Sequence, residues 1–163
     1  MTEYIFTAVS SLPHSLATII LAMVPVTELR ASIPFAITAY QMSPIMAFIY
    51  SVLGNVIAGI IVIFFVENIL HLMLKRSQYL DKIWQKYIMR IKTKNEEKFE
   101  KWGAVALVLF VAIPLPMTGI FTGAVAASIF QIPVSRAVIF LSMGSVISGI
   151  IVTLLTVGVT SMI

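Results

Sequence analysis

Three stretches of this chain contain no charged residue at all: 36 residues from Ala31 to Val66, 34 from Trp102 to Ser135, and 27 from Ala137 to Ile163. Each exceeds the roughly 20 residues that carry a helix across a bilayer. Of the 18 Asp, Glu, Lys and Arg residues, 14 fall between Glu67 and Lys101, and the rest of the chain holds only Glu3, Glu28, Arg30 and Arg136. Charged residues make up 11% of the chain, against about 25% in soluble domains. A soluble enzyme, a nucleic-acid binder and a disordered chain are therefore excluded, and an all-α integral membrane protein is expected.

The net charge of +4 reports topology, because nine of the eleven basic residues lie on the polar segment between two apolar blocks. By the positive-inside rule this segment, residues 71–101, is expected in the cytoplasm. The N-terminal Met1-Thr2-Glu3-Tyr4 carries an acid and no base before its first apolar run, which argues against a cleaved signal peptide. The absence of cysteine removes disulfides and thiolate metal ligation.

The chain repeats itself. Residues 54–62 read Gly-Asn-Val-Ile-Ala-Gly-Ile-Ile-Val and residues 144–152 read Gly-Ser-Val-Ile-Ser-Gly-Ile-Ile-Val, seven identities in nine at an offset of 90. Gln41 recurs as Gln131, Pro44 as Pro133 and Pro25 as Pro114, the two prolines at an offset of 89. Chance similarity between apolar segments does not place Gly, Gln and Pro markers in the same order.

Each half has one plan: an apolar arm, a Pro-rich break, a second short arm, another proline and a long apolar helix. The first-half arms are expected near Ser15 to Val24 and Pro34 to Tyr40, broken over Pro25 to Ile33, with the long helix starting near Pro44. The second-half arms are expected near Lys98 to Ile113 and Gly119 to Phe130, broken at Pro114 to Thr118, with the long helix starting near Pro133. A ten-residue arm covers about 15 Å, half the hydrocarbon thickness, which suits a re-entrant hairpin. A hairpin crosses zero times and its long helix once, so the two halves come out inverted, with opposed tips that can meet near the midplane. The expected fold is an inverted repeat in one membrane domain: residues 11–70 form the first unit, 71–101 an amphipathic cytoplasmic linker helix, and 102–160 the second unit. In the competing arrangement both arms extend into full spans, the halves are parallel and no central site exists; proline in the breaks disfavours it.

Glu28 and Arg30 lie in apolar surroundings at the first break, where each ionised side chain would cost about 2.5–3.5 kcal/mol. On a continuous helix positions i and i+2 point about 200° apart, so the two pair only if the backbone there is not helical. They read either as a proton-titrating carboxylate beside an anion-holding guanidinium, or as a structural ion pair. Thr118 is placed to cap the arm beginning at Gly119, and Ser32 and Pro34 to open the first short arm. If those arm N-termini face the midplane, their N–H groups and Arg30 favour an anion such as phosphate or carboxylate; ordinary capping would use the same residues. Gly119, Gly123 and Ala127 recur every four residues and allow close helix packing. Asn55 and Ser145 hold equivalent repeat positions and read as a polar path or an interhelical hydrogen bond. Arg136 follows Pro133 as an expected lipid-phosphate anchor. His14 and His71 are too isolated for a metal site, and no cofactor is expected.

In the linker, Leu80, Ile83, Trp84, Tyr87, Ile88 and Ile91 make one apolar stripe, with Lys82, Lys86 and Arg90 on another face. This suits an amphipathic helix on anionic lipid or against a protein partner. Asp81 is the only aspartate, and no His-Glu-x-x-His, Gly-x-Ser-x-Gly or Walker motif is present, so no enzyme activity is expected.

Glu28-Leu-Arg30-Ala-Ser-Ile-Pro34, the run Glu97-Lys-Phe-Glu-Lys-Trp-Gly-Ala-Val-Ala-Leu107, and Phe110-Val-Ala-Ile-Pro114-Leu-Pro116-Met-Thr118-Gly119-Ile-Phe-Thr122-Gly123-Ala124 together carry a resemblance. Over nearly its whole length the chain resembles the small multi-drug export protein family, which is similar to the DedA or VTT-domain superfamily. What that implies is two inverted re-entrant hairpins, each followed by a membrane helix, and a link to moving lipids such as polyprenyl phosphates. By motif position Glu28 and Arg30 are the functional residues so implied, with Arg136 a looser match.

The resulting expectation is a plasma-membrane transporter or flippase with both termini outside. Its substrate-binding residues would be Glu28, Arg30, Ser32, Pro34, Asn55, Pro114, Pro116, Thr118, Gly119, Thr122, Gly123 and Arg136, with Glu28 also the proton-coupling group. An amphiphilic, anionic substrate is expected, with membrane lipid and a homodimeric second copy as partners. The alternatives are proton-coupled export of small drugs and a non-transporting membrane-shaping factor.

Overall fold

The computed structural model describes residues 12–76, 82, 86, 103–115, 119–130 and 132–162, which hold six helices and no strand. In chain order these are α1 (His14–Met23), α2 (Glu28–Thr38), α3 (Pro44–Arg76), α4 (Gly103–Ala112), α5 (Ile120–Ile129) and α6 (Val134–Thr160). The apolar linker stripe lies outside the described residues, as does Arg90; Lys82 and Lys86 are helical and exposed.

Proline sets the start of both long helices: α3 opens on Pro44 and α6 directly after Pro133. A fixed φ and a missing N–H cost nothing at a helix start, where that N–H has no intrahelical acceptor. The α1 arm ends at Met23, two positions before Pro25, and α4 ends at Ala112, two positions before Pro114. The second arm of the first half differs from expectation, beginning at Glu28 rather than near Pro34, so that Pro34 lies inside α2. The turn is closed upstream of that proline by Thr27, whose hydroxyl donates to the carbonyls of Leu21 and Val24. Burial of Leu29, Ile33 and Ala36 offsets the lost N–H and the crowding that proline imposes on a helix interior.

Helices α1 and α2 fold back as a hairpin whose open ends meet. The His14 ring stacks on Tyr40 at 4.4 Å, and Phe35 meets Tyr40 edge-on at 5.0 Å. Gln41 turns the chain out in a left-handed conformation, φ 52°, and the Met42 N–H returns to the Ala36 carbonyl at 3.0 Å. Helices α4 and α5 fold back likewise, with Gly123 of α5 against Val111 of α4 and Leu141 of α6.

Each hairpin packs on the long helix that follows it through a glycine at an equivalent position. A Cβ at Gly54 would strike the Ile19 carbonyl oxygen of α1, and one at Gly144 would lie 2.9 Å from the Val108 carbonyl oxygen of α4. Residues 19 and 108 are 89 apart and residues 54 and 144 are 90 apart, the offsets of the sequence repeat. The long helices cross where Asn55 Nδ2 donates to Ser145 Oγ at 3.0 Å. Gly149 packs against Phe48 and Val52, so α3 and α6 run in opposite directions at the crossing.

Among the described residues two segments are long and apolar enough to cross a membrane, Pro44–Ile69 and Val134–Thr160. Their outward faces are apolar: Ile45, Ile49, Leu53, Ile57, Ile61 and Phe64 form an exposed stripe down α3, and Ile139, Met143, Ile147, Ile150 and Leu154 one down α6. Continuous apolar surface of this length is unfavourable in water and matches a lipid surrounding.

Candidate functional site: the junction of the two hairpin tips

Glu28 begins α2 with a left-handed backbone, φ 45°, a conformation that costs a non-glycine residue about 1–2 kcal/mol. Its N–H still bonds the Val24 carbonyl at 2.9 Å, so the turn is closed while the side chain leaves the direction that a helical residue would take. The Glu28–Arg30 pair forms for this reason, with Arg30 Nη2 3.6 Å from Glu28 Oε2 and side-chain exposures of 22% and 10%. The non-helical backbone that pairing at i and i+2 requires is confined to Glu28.

The Glu28 carboxylate reaches the other half of the protein. It accepts the backbone N–H of Phe121, near the N-terminus of α5. Gly119, the residue before that helix, has no side chain to cap it, and the two carboxylate oxygens occupy the space that a Cβ on Gly119 would need. A carboxylate at this place satisfies a helix N–H that has no intrahelical acceptor and meets the positive end of the helix dipole. The anion expected at an arm N-terminus is thus present as part of the chain. Thr118 and Pro116 lie outside the described residues.

Beside this junction runs a groove of about 410 Å³, lined by Arg30, Pro34 and Thr38 of α2, Pro114 of the second tip, and Val152, Leu155, Thr156, Val159 and Thr160 of α6. Residues 30, 34 and 38 follow one face of α2 by their i, i+4, i+8 spacing. Arg30 is the charged residue among the described lining, and it lies at the tip end, level with Pro114. The far end of the groove is marked by Thr38 and Thr160, each at its helix C-terminus.

The structure gathers Glu28, Arg30, Pro34, Pro114 and Gly119 at this junction and groove. It places the other expected residues elsewhere. Ser32 is buried in the middle of α2, where its hydroxyl donates to Ser51 at 2.8 Å. Asn55 and Ser145 bond each other at the α3–α6 crossing. Thr122 is exposed and its hydroxyl donates to the Gly119 carbonyl at 3.0 Å, while Gly123 is packed between α4 and α6. Arg136 is exposed in the first turn of α6, about 24 Å along the helix from Val152. Thr38, Thr156 and Thr160 are groove residues that sequence reasoning missed; the i, i+4 spacing of Thr156 and Thr160 in the last turns of α6 was the signal available. Among the described residues no three His, Asp or Glu side chains cluster as a metal site would require.

Comparison with known proteins agrees with the motif reading. The family model described as "Putative small multi-drug export protein" matches residues 28–151, beginning at Glu28 and taking in both hairpin tips. No curated protein and no solved structure matches the chain. With a match over most of its length, including the Glu28 and Arg30 segment and the second tip, the chain belongs to the small multi-drug export protein family.

Proposed function

We propose that the protein is a multi-pass plasma-membrane transporter that moves an amphiphilic anion along the groove beside the two opposed hairpin tips. The membrane arrangement behind this reading is an inverted repeat of re-entrant hairpins. It is supported by the antiparallel crossing of α3 and α6 at the repeat-equivalent residues Asn55 and Ser145, and by arms of 10 or 11 residues, too short to span. With the basic linker inside, the first hairpin opens to the exterior, the second to the cytoplasm, and both chain ends lie outside.

One observation carries the substrate reading: Arg30 lines the tip end of a groove whose other described lining residues are apolar or hydroxyl-bearing, while its ion-pair partner Glu28 is not part of that lining and is shared with the N-terminus of α5. An anionic head group pairs with the guanidinium and its apolar body lies along Val152, Leu155 and Val159. Glu28 acts as a latch between the halves. When its carboxylate is drawn off by protonation or by competition for Arg30, the α5 N-terminus loses its cap and the tips can part.

The test is transbilayer movement of two fluorescent single-chain amphiphiles, one ending in sulfate and one in quaternary ammonium, in proteoliposomes. Arg30→Ala is expected to slow the sulfate probe by at least tenfold, the scale of a lost charge-assisted hydrogen bond, and to spare the cation. The family description favours a second reading, export of small drugs; for cationic drugs with Glu28 as counter-charge, the signature is loss of cation movement in Glu28→Gln with Arg30→Ala silent. If neither substitution changes either rate, both readings fall.

A further inference from the structure

Three threonines, Thr38, Thr156 and Thr160, line the groove. Each hydroxyl proton is already committed to its own helix: Thr38 Oγ1 donates to the Pro34 carbonyl at 2.8 Å, Thr156 Oγ1 to Val152 at 2.8 Å, and Thr160 Oγ1 to Thr156 at 2.9 Å. A threonine hydroxyl has one proton and two lone pairs. Once the proton is spent on the backbone, what remains for the groove is acceptor oxygen and methyl. The remaining lining offers no compensating donor: Pro34 and Pro114 have no N–H, and Val152, Leu155 and Val159 are hydrocarbon. Among the described lining residues, side-chain donation comes from Arg30 at one end and side-chain acceptance from Thr38, Thr156 and Thr160 toward the other.

We propose that Thr38, Thr156 and Thr160 select amphiphiles whose head group carries an N–H or O–H donor beyond its anionic group, and discriminate against anions that present acceptors or methyl groups there. The order along the groove fixes the sense of the ligand. Leu29, Ile33 and Val152 pack as one cluster with Ile37 against it, so Val152 lies near the Arg30 end and Thr156 one turn further out. The anion therefore sits at Arg30 and the donor roughly one to two helical turns away, about 5–11 Å. An acceptor placed there would face threonine lone pairs across an apolar gap, where an unmade hydrogen bond is costly.

This inference rests on the reading that the groove carries an anionic amphiphile, and the experiment separates the two. Four fluorescent single-chain phosphodiesters with the same tail are compared in proteoliposomes of the intact chain: a methyl ester, a choline ester, an ethanolamine ester and a glycerol ester. Choline and ethanolamine share a positive charge and differ in N–H donors; glycerol supplies O–H donors without the charge. The ethanolamine or glycerol ester, or both, is expected to move about threefold to tenfold faster than the methyl and choline esters, the range of one or two hydrogen bonds. A fast ethanolamine ester alone assigns the donor as an amine, and a fast glycerol ester alone as a hydroxyl. In the Thr156→Val, Thr160→Val double variant that ratio is expected to collapse toward one, and in Thr156→Ser, Thr160→Ser to persist. If all four esters move at equal rates and Arg30→Ala still slows them, the threonine selectivity is overturned and the anion reading stands. If Arg30→Ala leaves all four rates unchanged, the anion reading fails and this inference with it.

Discussion

Substitution of Gly119 by alanine isolates the contact that joins the two halves. The backbone at Gly119 is extended, φ −91° and ψ −170°, a conformation open to alanine, so any cost comes from the added methyl alone. That methyl falls on the carboxylate of Glu28. The carboxylate has to move, giving up the Phe121 N–H and weakening the ion pair with Arg30. Loss of a helix cap costs about 0.5–2 kcal/mol and loss of a favourable dipole contact about 0.3–1 kcal/mol, so Gly119→Ala should destabilise by about 1–3 kcal/mol. The assay is a double-mutant cycle with Glu28→Ala, followed by reversible unfolding in detergent. Truncating Glu28 removes the group that the methyl strikes, so Gly119→Ala should then cost only a few tenths of a kcal/mol. Equal costs in the two backgrounds would falsify the proposition that the Glu28 carboxylate is seated on α5.

Two further outcomes follow from the same contacts. Ser145→Ala leaves the buried Asn55 amide, 1% exposed with an Oδ1 that already has no hydrogen-bond partner, without its Nδ2 acceptor as well. A loss of about 1–3 kcal/mol is expected, most of it recovered in Asn55→Leu, Ser145→Ala, and read by the same unfolding assay. Because the chain has no cysteine, single cysteines at Thr38, Lys86 and Ser161 report topology directly through an impermeant thiol reagent. Thr38 and Ser161 should label from outside and Lys86 from inside, whereas labelling of Thr38 and Ser161 from opposite sides contradicts the re-entrant hairpins.

Much of the architecture was written in local chemistry. Uncharged runs of 27 to 36 residues define the apolar blocks, and Pro44 and Pro133 start the long helices because proline at a first helical turn forfeits no hydrogen bond. The repeat offsets of 89 and 90 reappear as paired glycine contacts, Gly54 on Ile19 and Gly144 on Val108, because small residues set how closely two helices approach wherever they stand. Glu28 and Arg30 were legible as a pair through the cost of charge in an apolar segment, together with the requirement for non-helical backbone between them.

What the sequence could not determine is what lies across from these groups. Capping was expected from neighbours, with Thr118 before Gly119 and with Ser32 and Pro34 opening α2. Thr118 lies outside the described residues, and the oxygen seen at the start of α5 belongs to Glu28, some ninety residues upstream. A helix N–H accepts any oxygen that the fold brings within reach, and sequence distance does not enter that geometry. The start of α2 moved for a similar reason, since the hydrogen bonds of Thr27 and the burial of Leu29 and Ile33 outweigh the local preference of Pro34 to end a helix. Thr38 of α2 and Thr156 and Thr160 of α6 are unremarkable until packing of α2 against α6 brings them to one groove. The sequence alone determined which segments are helical and apolar and where the costly charges lie. Only the tertiary structure decided which helix end the carboxylate serves and which hydroxyls share a wall, because those depend on contacts between segments far apart along the chain.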